Sequence, residues 1–404
     1  MTALAVAGCS SEDPAARAVT GTRLAVYTSM PLSGPDGDAA KDVVDAERLA
    51  LREAGASVGR YRIDLVSLDS LTPTSNTPEG WDPAQISLNA RRAAKDPATI
   101  AYIGELDSGA SAISVPLLNE EGVLQISPTD TATALTQRSL AVPDSPVKYY
   151  PKAEQYGRTF ARLVPDDRDQ AVAQADYMRA EGVRRLVLVG DDDPASVGYS
   201  NSFRSLARDR GITVVDREEI DPHNKDPKDL VEKILAARPD AVFYAGELHD
   251  SVGPLWQGLT VADPDVKVFA PGALVDARFL AAVGASGDTT YVTRPVLPLT
   301  GYPPAAARFA RRFEAEYGRA PAPEALYGYE AMRALLAAVT RAARTSGDRA
   351  LDRSDVVRAF RGTKRRATVL GDYEILRNGD TTFNRFGAYR IVAGRLHYVR
   401  SFVG

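Results

Sequence analysis

The chain has 404 residues, which is enough for two or three domains of about 150 residues each. Its 53 acidic and 49 basic residues give a net charge of −4, which argues against nucleic acid or an anionic membrane surface as a partner. A single cysteine excludes an intramolecular disulfide and a cysteine-based zinc site, and no segment reaches the roughly 20 apolar residues of a membrane-spanning helix.

The single cysteine, Cys9, follows a segment of small and apolar residues, 4–8, and precedes a polar stretch. This order is the recognition pattern of a bacterial lipoprotein signal, in which residues 1–8 are removed and Cys9 becomes the lipidated N-terminus. The protein is then extracytoplasmic and held to the membrane by its lipid anchor only. A secretory signal ordinarily has a basic start and about 7–15 apolar residues, whereas the residues before Cys9 are few and none is basic. The alternatives are a translation start further upstream or an accidental motif in a frayed N-terminus.

Apolar runs of strand length alternate with amphipathic helical stretches in the first third of the chain. The stretch 39–55 has its apolar residues on one helical face and ends at Gly55, and the pair Asp82-Pro83 opens another helix. Residues 71–80 are rich in Thr, Pro, Ser and Asn and predict a loop. The predicted strands are 22–27, 61–67, 100–104 and 123–126, and the predicted helices are 39–55, 82–95 and 109–121.

The same rhythm resumes after a polar, proline-containing connection at residues 140–165. Alternation on this scale predicts parallel sheets covered by helices on both faces, so we expect an α/β protein with two doubly wound parallel-sheet lobes. The predicted helices are 169–181, 201–209, 227–237 and 251–259, and the predicted strands are 185–189, 213–220, 241–245 and 266–270.

The pattern changes after residue 292. Three longer helices are predicted at 305–317, 324–345 and 352–360. Short antiparallel strands are predicted between residues 373 and 402, with a turn at Asn378-Gly379.

Acidic residues follow several of the predicted strands. Ligands of open parallel sheets bind beyond the carboxyl ends of the strands, so two facing lobes would direct several of these acids into one cleft and favour a cationic or ammonium-bearing ligand. The alternative is that the acids cap the helices that follow them; we expect this of most of them, Asp193 included, and ligand contact from one or two. The acids are Glu105, Asp107, Asp130, Asp191, Asp192, Asp193 and Glu247.

The segment 108–111, with the sequence Ser-Gly-Ala-Ser, joins a predicted strand to a predicted helix. It places backbone N–H groups and the Ser108 hydroxyl at the positive end of a helix dipole, which suits the carboxylate of a small ligand. The alternative is that Ser108 is an ordinary helix N-cap.

Motifs for catalysis are missing from the sequence. It has three histidines, His223, His249 and His397, but no G-x-S-x-G elbow, no H-E-x-x-H pair and no P-loop. The glycines of residues 31–37 have the wrong spacing for a dinucleotide site, and three adjacent aspartates rarely all reach one metal ion. We therefore predict no catalytic residue, cofactor or metal. An enzymatic interpretation would require His249 to lie against Ser108 or the Asp191 turn.

A series of short motifs with a consistent order and spacing runs from about residue 23 to residue 398. The motifs are Met30-Pro31-Leu32-Ser33-Gly34, Trp81-Asp82-Pro83, Tyr102-Ile103-Gly104-Glu105, Ser108-Gly109-Ala110-Ser111, Ile126-Ser127-Pro128, Thr131, Lys148-Tyr149-Tyr150-Pro151, Arg158-Thr159-Phe160, Asp191-Asp192-Asp193, Pro239-Asp240-Ala241-Val242-Phe243, Tyr291-Val292-Thr293, the end of the 305–317 helix with Gly318, and Tyr327-Gly328-Tyr329-Glu330-Ala331. Together they resemble the type I periplasmic binding proteins, and most of all the leucine/isoleucine/valine-binding family that feeds ABC importers.

The resemblance implies two lobes, joined by three crossovers, that close on a ligand like a hinged clamp. It implies that Ser108, with the neighbouring Gly109, contacts a ligand carboxylate. It also implies that Thr129, through its carbonyl, and Thr131, through its hydroxyl and N–H, bind the ammonium and carboxylate of the ligand.

The second lobe departs from the family pattern at three positions. Ala195 stands where a ligand-covering tyrosine is common, Ala273 where an ammonium-binding acid is common, and Glu247 where an aromatic residue is common. Either Glu247 or Asp130 replaces the missing acid, or the pocket binds something other than an amino acid.

These observations predict an extracytoplasmic, non-enzymatic solute-binding lipoprotein that delivers a small polar, amino-acid-like ligand to an ABC permease. The alternative is a ligand-sensing lipoprotein of the same fold that signals to a membrane partner. We expect a signal remnant and tether at 1–21, an N-terminal lobe from 22–162 and 293–366, and a C-terminal lobe from 163–292 and 367–404. The hinges are expected near Arg162, Thr293 and Thr368.

Overall fold

The computed structural model describes residues 18–19, 21–34, 37–72, 80–139, 141–191, 194–272, 274–275 and 277–404. The predictions for Cys9, Asp192, Asp193 and Ala273 therefore lie outside the described residues. Two separate, mainly parallel sheets organise the described chain, which confirms the predicted α/β class.

The first sheet has six strands in the order β2-β3-β1-β4-β5-β6. All neighbours are parallel except the short β2, which pairs antiparallel with β3. The central strands are continuous apolar runs because helices cover both of their faces. The strands are β1 Arg23–Met30, β2 Ser57–Val58, β3 Tyr61–Asp69, β4 Thr99–Ile103, β5 Leu124–Ser127 and β6 Phe160–Arg162.

The second sheet has seven strands in the order β15-β14-β11-β10-β9-β7-β8. Five of them are parallel, whereas β14 and β15 form an antiparallel hairpin at one edge. The strands are β7 Arg185–Gly190, β8 Thr213–Glu219, β9 Ala241–Tyr244, β10 Lys267–Pro271, β11 Thr290–Arg294, β14 Arg385–Val392 and β15 Arg395–Val403; the pair β12 Arg366–Ala367 and β13 Asp372–Tyr373 stands apart.

Twelve α-helices are present among the described residues, and most agree with the sequence prediction within a few residues. The prediction for 201–209 started too late, because the polar first turns of that helix lack an apolar period, although Pro194 suits a first helical position. The helices are α1 Gly37–Glu53, α2 Pro83–Lys95, α3 Ser108–Asn119, α4 Ala153–Tyr156, α5 Asp167–Ala180, α6 Pro194–Asp209, α7 Lys228–Ala236, α8 Val252–Ala262, α9 Ala277–Val283, α10 Pro304–Tyr317, α11 Ala325–Ser346 and α12 Arg353–Arg361.

The C-terminal antiparallel strands are present, but their main turn is not the predicted one. The β14–β15 hairpin turns at Ala393 and Gly394, which both have positive φ. The predicted Asn378-Gly379 turn exists, and it closes only a single bridge between Ile375 and Thr381.

Each sheet has its own hydrophobic core, and the long helix α11 packs in the core of the first sheet. That core also includes Leu370, Tyr373, Ile375 and Phe383. The chain passes between the sheets after β6, after β11 and before β14.

Arg162 lies at the first of these passages and is fully buried. Its guanidinium donates to Asp380 Oδ1 at 2.9 Å, to Thr136 Oγ1 at 2.6 Å and to the Asp130 carbonyl at 3.1 Å. The Gln137 amide donates to both Asp166 and Asp380 at 2.8 Å. These bonds tie the passages after β6 and before β14 to the end of the first sheet.

No helix within the described residues has the length and apolar composition needed to cross a membrane.

Candidate functional site

The start of α3 is built by Asp107 and Ser108 in different ways. Asp107 is the N-cap, and its carboxylate accepts the Gly109 N–H at 2.7 Å. The Ser108 hydroxyl accepts the backbone N–H groups of Thr131 and Ala132, both at 3.1 Å. Ser108 therefore braces the loop after β5 and is not the helix cap. The N–H groups of Gly109 and Thr131, which the sequence analysis expected at the ligand, are both already bonded within the protein.

The hydroxyl groups of Ser127 and Thr129 hold the loop after β5 in place. Ser127 Oγ accepts the N–H groups of Thr129 at 3.1 Å and Asp130 at 2.9 Å, and donates to the Glu105 carbonyl at 3.1 Å. Thr129 Oγ1 donates to the Leu106 carbonyl at 2.7 Å. The loops after β4 and β5 thus form one rigid polar edge at the carboxyl end of the first sheet, and this edge carries Ser108, Thr129 and Thr131.

Asp130 lies behind this edge. It is fully buried, and neither of its carboxylate oxygens has a hydrogen-bond partner. Burial raises the pKa of Asp130 to about 7, against the opposing effects of the Ser111 hydroxyl and the Arg162 guanidinium. Asp130 is therefore placed as a buried group beside the edge and not as an exposed contact for a ligand ammonium.

Trp81 is a neighbour of the edge that the sequence analysis did not single out as a functional residue. A Cβ added at Gly109 would lie only 2.9 Å from the Trp81 ring. The glycine thus lets an indole ring lie against the start of α3. The Trp81-Asp82-Pro83 motif was the available signal, because Asp82 caps α2 by accepting the Ala84 N–H at 2.8 Å and so fixes the approach of Trp81.

A second polar cluster lies at the carboxyl ends of β7 and β9. The Asp191 side chain is fully buried, and its Oδ2 accepts the Glu247 N–H at 2.6 Å and contacts His249 Nε2 at 2.9 Å. The Tyr244 hydroxyl donates to the Glu247 carbonyl at 2.7 Å. Glu247 is exposed and His249 is partly exposed. The cluster therefore presents an acid and a histidine at the edge of the second sheet.

Tyr199 is a tyrosine close to Ala195, the position at which a ligand-covering tyrosine is common in the family. It lies on α6, one helical turn further along the chain, and its ring packs edge-on against Phe243. Burial and the nearby Asp167 carboxylate raise the Tyr199 pKa well above its ordinary value, and its hydroxyl has no hydrogen-bond partner.

Asp167 connects this region to the first edge. Its backbone N–H donates to the Thr131 carbonyl at 2.9 Å. Burial raises the Asp167 pKa to about 6, and the Thr131 side chain opposes that rise. The site residues predicted from sequence thus form two groups: Ser108, Gly109, Thr129 and Thr131 with the buried Asp130, and Glu247 beside Asp191.

Two surface grooves lie apart from these groups. One, of about 400 Å³, is lined by residues such as Tyr302, Phe383 and Arg385. The other, of about 510 Å³, is lined by residues such as Asp42 and Arg319. Neither groove contains a residue predicted to bind the ligand.

Within the described part of the chain, no group of three or more His, Cys, Asp or Glu side chains is arranged to hold a metal ion. His249 does meet the Asp191 turn, which is one of the placements that an enzymatic interpretation requires. The comparisons with known proteins decide against that interpretation.

A family model for periplasmic binding proteins matches residues 28–395. The chain is 26% identical over 297 residues to the Leu/Ile/Val-binding protein BraC3 of Rhizobium johnstonii, covering 73% of each chain. It is 25% identical over 295 residues to a Leu/Ile/Val-binding protein homologue of Brucella melitensis, again covering 73% of each.

Solved structures share the fold over nearly the whole chain. The leucine-binding protein LivK of Thermotoga maritima superposes with a TM-score of 0.73 at 20% identity, covering 94% of this chain and 99% of that one. A solute-binding protein of R. palustris in complex with benzoate superposes with a TM-score of 0.68 at 19% identity, covering 94% and 96%. The chain belongs to the periplasmic binding protein family and is an extracytoplasmic binding protein, not an enzyme.

Proposed function

We propose that this protein captures a small carboxylate-bearing solute between its two lobes and delivers it to an ABC permease. The solute is an amino acid or a related polar acid. The relatives include proteins named for leucine, isoleucine and valine, and the solved structures include complexes with leucine and with benzoate. A carboxylate is the group that these ligands share.

The observation that carries this proposal is the hydrogen bond from the Thr131 N–H to Ser108 Oγ. It joins the start of α3 to the loop after β5, and so brings Ser108 and Thr131 together at the positive end of a helix dipole. The Ser108 hydroxyl accepts two N–H groups in this arrangement, and its own proton remains able to donate to a ligand oxygen.

Asp107 limits what this edge can hold. Its carboxylate takes the Gly109 N–H and adds a negative charge at the same helix start. A ligand carboxylate therefore depends on the hydroxyl groups of Ser108 and Thr131 more than on the backbone N–H of Gly109. Glu247 supplies the acid for a ligand ammonium from the second sheet, while the Asp191 carboxylate is engaged with the Glu247 N–H and His249.

The lobes in this proposal follow the two sheets. The N-terminal lobe comprises the first sheet with α10, α11 and α12, and the C-terminal lobe comprises the second sheet. Because Leu370 and Phe383 pack in the first core, we place the third hinge between Phe383 and Arg385 and not near Thr368. Ligand binding closes the lobes about these passages.

Attachment to the membrane through a lipidated Cys9 is part of the proposal. It rests on the small-residue segment before Cys9 and on the polar tether after it. Stable anchoring requires more than one acyl chain, because a single chain binds membranes only marginally.

The test is a binding screen on the purified chain. Thermal unfolding is measured with L-leucine, L-isoleucine, benzoate and 4-hydroxybenzoate, because a ligand at about 100 times its Kd stabilises the fold by about 2.7 kcal/mol. Hits are confirmed by isothermal titration on the wild type, on Ser108→Ala and on the control Ser354→Ala. Ser354 lies near the start of another helix of the same lobe, and its hydroxyl has no hydrogen-bond partner. A carboxylate that binds the wild type and Ser354→Ala more tightly than Ser108→Ala supports the proposal. If none of the four carboxylates binds, or if Ser108→Ala binds them as tightly as the wild type, the proposal is overturned.

A further inference from the structure

Two buried carboxyl groups lie directly behind the polar edge that carries Ser108, Thr129 and Thr131. Glu105 is 1% exposed and Asp130 is 0% exposed. They belong to the same two segments that carry Ser108 and Thr131, and Ser127 links those segments by bonding to the Asp130 N–H and the Glu105 carbonyl. Any charge on this pair therefore acts at short range on whatever binds at the edge.

The pair lacks the hydrogen bonds that two ionised carboxylates need. Glu105 Oε1 accepts the Tyr102 hydroxyl at 2.5 Å. Glu105 Oε2 and both oxygens of Asp130 have no hydrogen-bond partner. Buried charges in proteins are ordinarily paired and hydrogen-bonded, and a carboxyl group without such partners takes up a proton instead.

The charged groups around the pair do not neutralise it. Arg162, on β6, uses Nη1 for the carbonyl of Asp130 and Nε for the carboxylate of Asp380. Asp107, at the start of α3, adds a negative charge beside Asp130. On β4, Tyr102 contributes only its hydroxyl to Glu105.

Burial raises the pKa of Glu105 to about 8 and that of Asp130 to about 7, and the nearby Asp130 adds to the rise for Glu105. Asp167, which reaches the edge through Thr131, has a pKa raised to about 6 by burial. The geometry and the direction of these shifts agree, because both favour a protonated pair at neutral pH.

We infer that Glu105 and Asp130 form a proton-binding site coupled to the ligand site, so that a carboxylate ligand binds together with a proton. The inference rests on the proposed function, since it assumes an anionic group at the Ser108–Thr131 edge. The ligand carboxylate adds a negative charge beside the pair and so favours its protonated form. Coupling between two binding events is reciprocal, so the bound proton strengthens ligand binding to the same extent.

The sign of the pH dependence follows from this coupling. Well below both folded-state pKa values the pair is protonated and uncharged, and the ligand binds most tightly. As the pH rises through the folded-state pKa values, about 7 and about 8, the pair ionises and repels the ligand carboxylate. The Kd then increases by up to about tenfold per pH unit for each proton taken up on binding.

The experiment is isothermal titration of the whole chain with L-leucine, 4-hydroxybenzoate and acetate from pH 5.5 to 8.5. Each titration is repeated in two buffers of different ionisation enthalpy, so that the number of protons taken up is measured directly. We expect proton uptake near pH 7.5 for the wild type. We expect neither proton uptake nor weakening with pH in the double variant Glu105→Gln/Asp130→Asn.

Glu47→Gln is the matched control. Glu47 is also a fully buried acid of the first lobe, and burial raises its pKa to about 8, but its contacts are with Thr28 and Arg48. This variant should keep the wild-type proton uptake on ligand binding. Loss of uptake in Glu47→Gln, or wild-type uptake in the double variant, would overturn the inference.

A measurement of stability without ligand tests the proton-binding site independently of the proposed function. Acids whose pKa is raised by folding bind more protons in the folded state, so the free energy of unfolding decreases as the pH rises from about 5 to about 8. Urea unfolding should show a smaller decrease in Glu105→Gln/Asp130→Asn than in the wild type. If no carboxylate binds at any pH, the proposed function fails and the coupling fails with it. If a carboxylate binds but the two unfolding profiles run parallel, only the proton site is rejected.

Discussion

The hydroxyl of Ser108 accepts the backbone N–H of Thr131 at 3.1 Å, across 23 residues of the chain. Both residues follow parallel strands that are neighbours in the first sheet, β4 and β5. Parallel neighbours end at the same edge of a sheet, which is why residues so far apart in the chain meet there. This contact carries the binding hypothesis.

Ser108→Ala and Thr131→Ala should each weaken carboxylate binding by about 10- to 100-fold. The reason is that a hydrogen bond to a charged group contributes about 1.5–3 kcal/mol. Isothermal titration with a ligand from the screen is the measurement, and Ser354→Ala should bind like the wild type. Unchanged affinity in both edge variants would mean that the ligand lies elsewhere.

Glu247→Gln should weaken ligands that carry an ammonium group and spare ligands that do not. The exposed carboxylate of Glu247 attracts a cation, whereas a neutral amide of the same shape does not. L-leucine and 4-hydroxybenzoate, titrated on the same variant, serve as each other's control. An equal loss for both ligands would assign a structural role to Glu247.

Gly109→Ala should displace Trp81, because the new Cβ would lie 2.9 Å from the indole ring. The expected results are a shift in intrinsic tryptophan fluorescence and weaker ligand binding. The double variant Gly109→Ala/Trp81→Leu should recover part of the lost affinity, because the smaller side chain removes the clash. If the double variant binds no better than Gly109→Ala, the contact with Trp81 is not the cause.

Arg162→Leu should lower the free energy of unfolding by roughly 3–5 kcal/mol, because it leaves the Asp380 carboxylate buried without its cationic partner. Replacing both partners with leucine removes the unpaired charge and should recover part of the loss. Urea unfolding of the two variants and of the wild type measures this. Equal stability of the single and double variants would contradict it.

Cys9 should be the N-terminal residue of the mature protein and should carry acyl chains. Intact-mass measurement of protein extracted from native membranes checks this, with Cys9→Ser as the control that should lose both the processing and the lipid mass. A mature chain that begins at Met1 would reject the lipoprotein hypothesis.

Local pattern in the sequence determined the element types and the fold class. Strands such as β4 and helices such as α11 were predictable because a buried parallel strand and an amphipathic helix each impose a period on apolar residues. The segment 108–111 was recognisable as a strand-to-helix junction for the same reason. Short or polar elements were less predictable: β6 has three residues, and the first turns of α6 lack an apolar period.

Only the tertiary structure decided the role of each side chain at the site. From the sequence, Asp107 and Ser108 are equally good candidates for the helix cap. Asp107 is the cap in the structure, because the Ser108 hydroxyl instead accepts N–H groups from the loop after β5. The sequence likewise counts Asp130 among the acids that follow strands, without showing that it is buried. Burial and the partners of a polar group depend on which strands are neighbours, and those contacts join residues that are far apart in the chain. Whether a carboxyl group is charged depends on its burial and on its hydrogen-bond partners. The protonation state of Asp130 therefore follows from the fold and not from its position in the sequence.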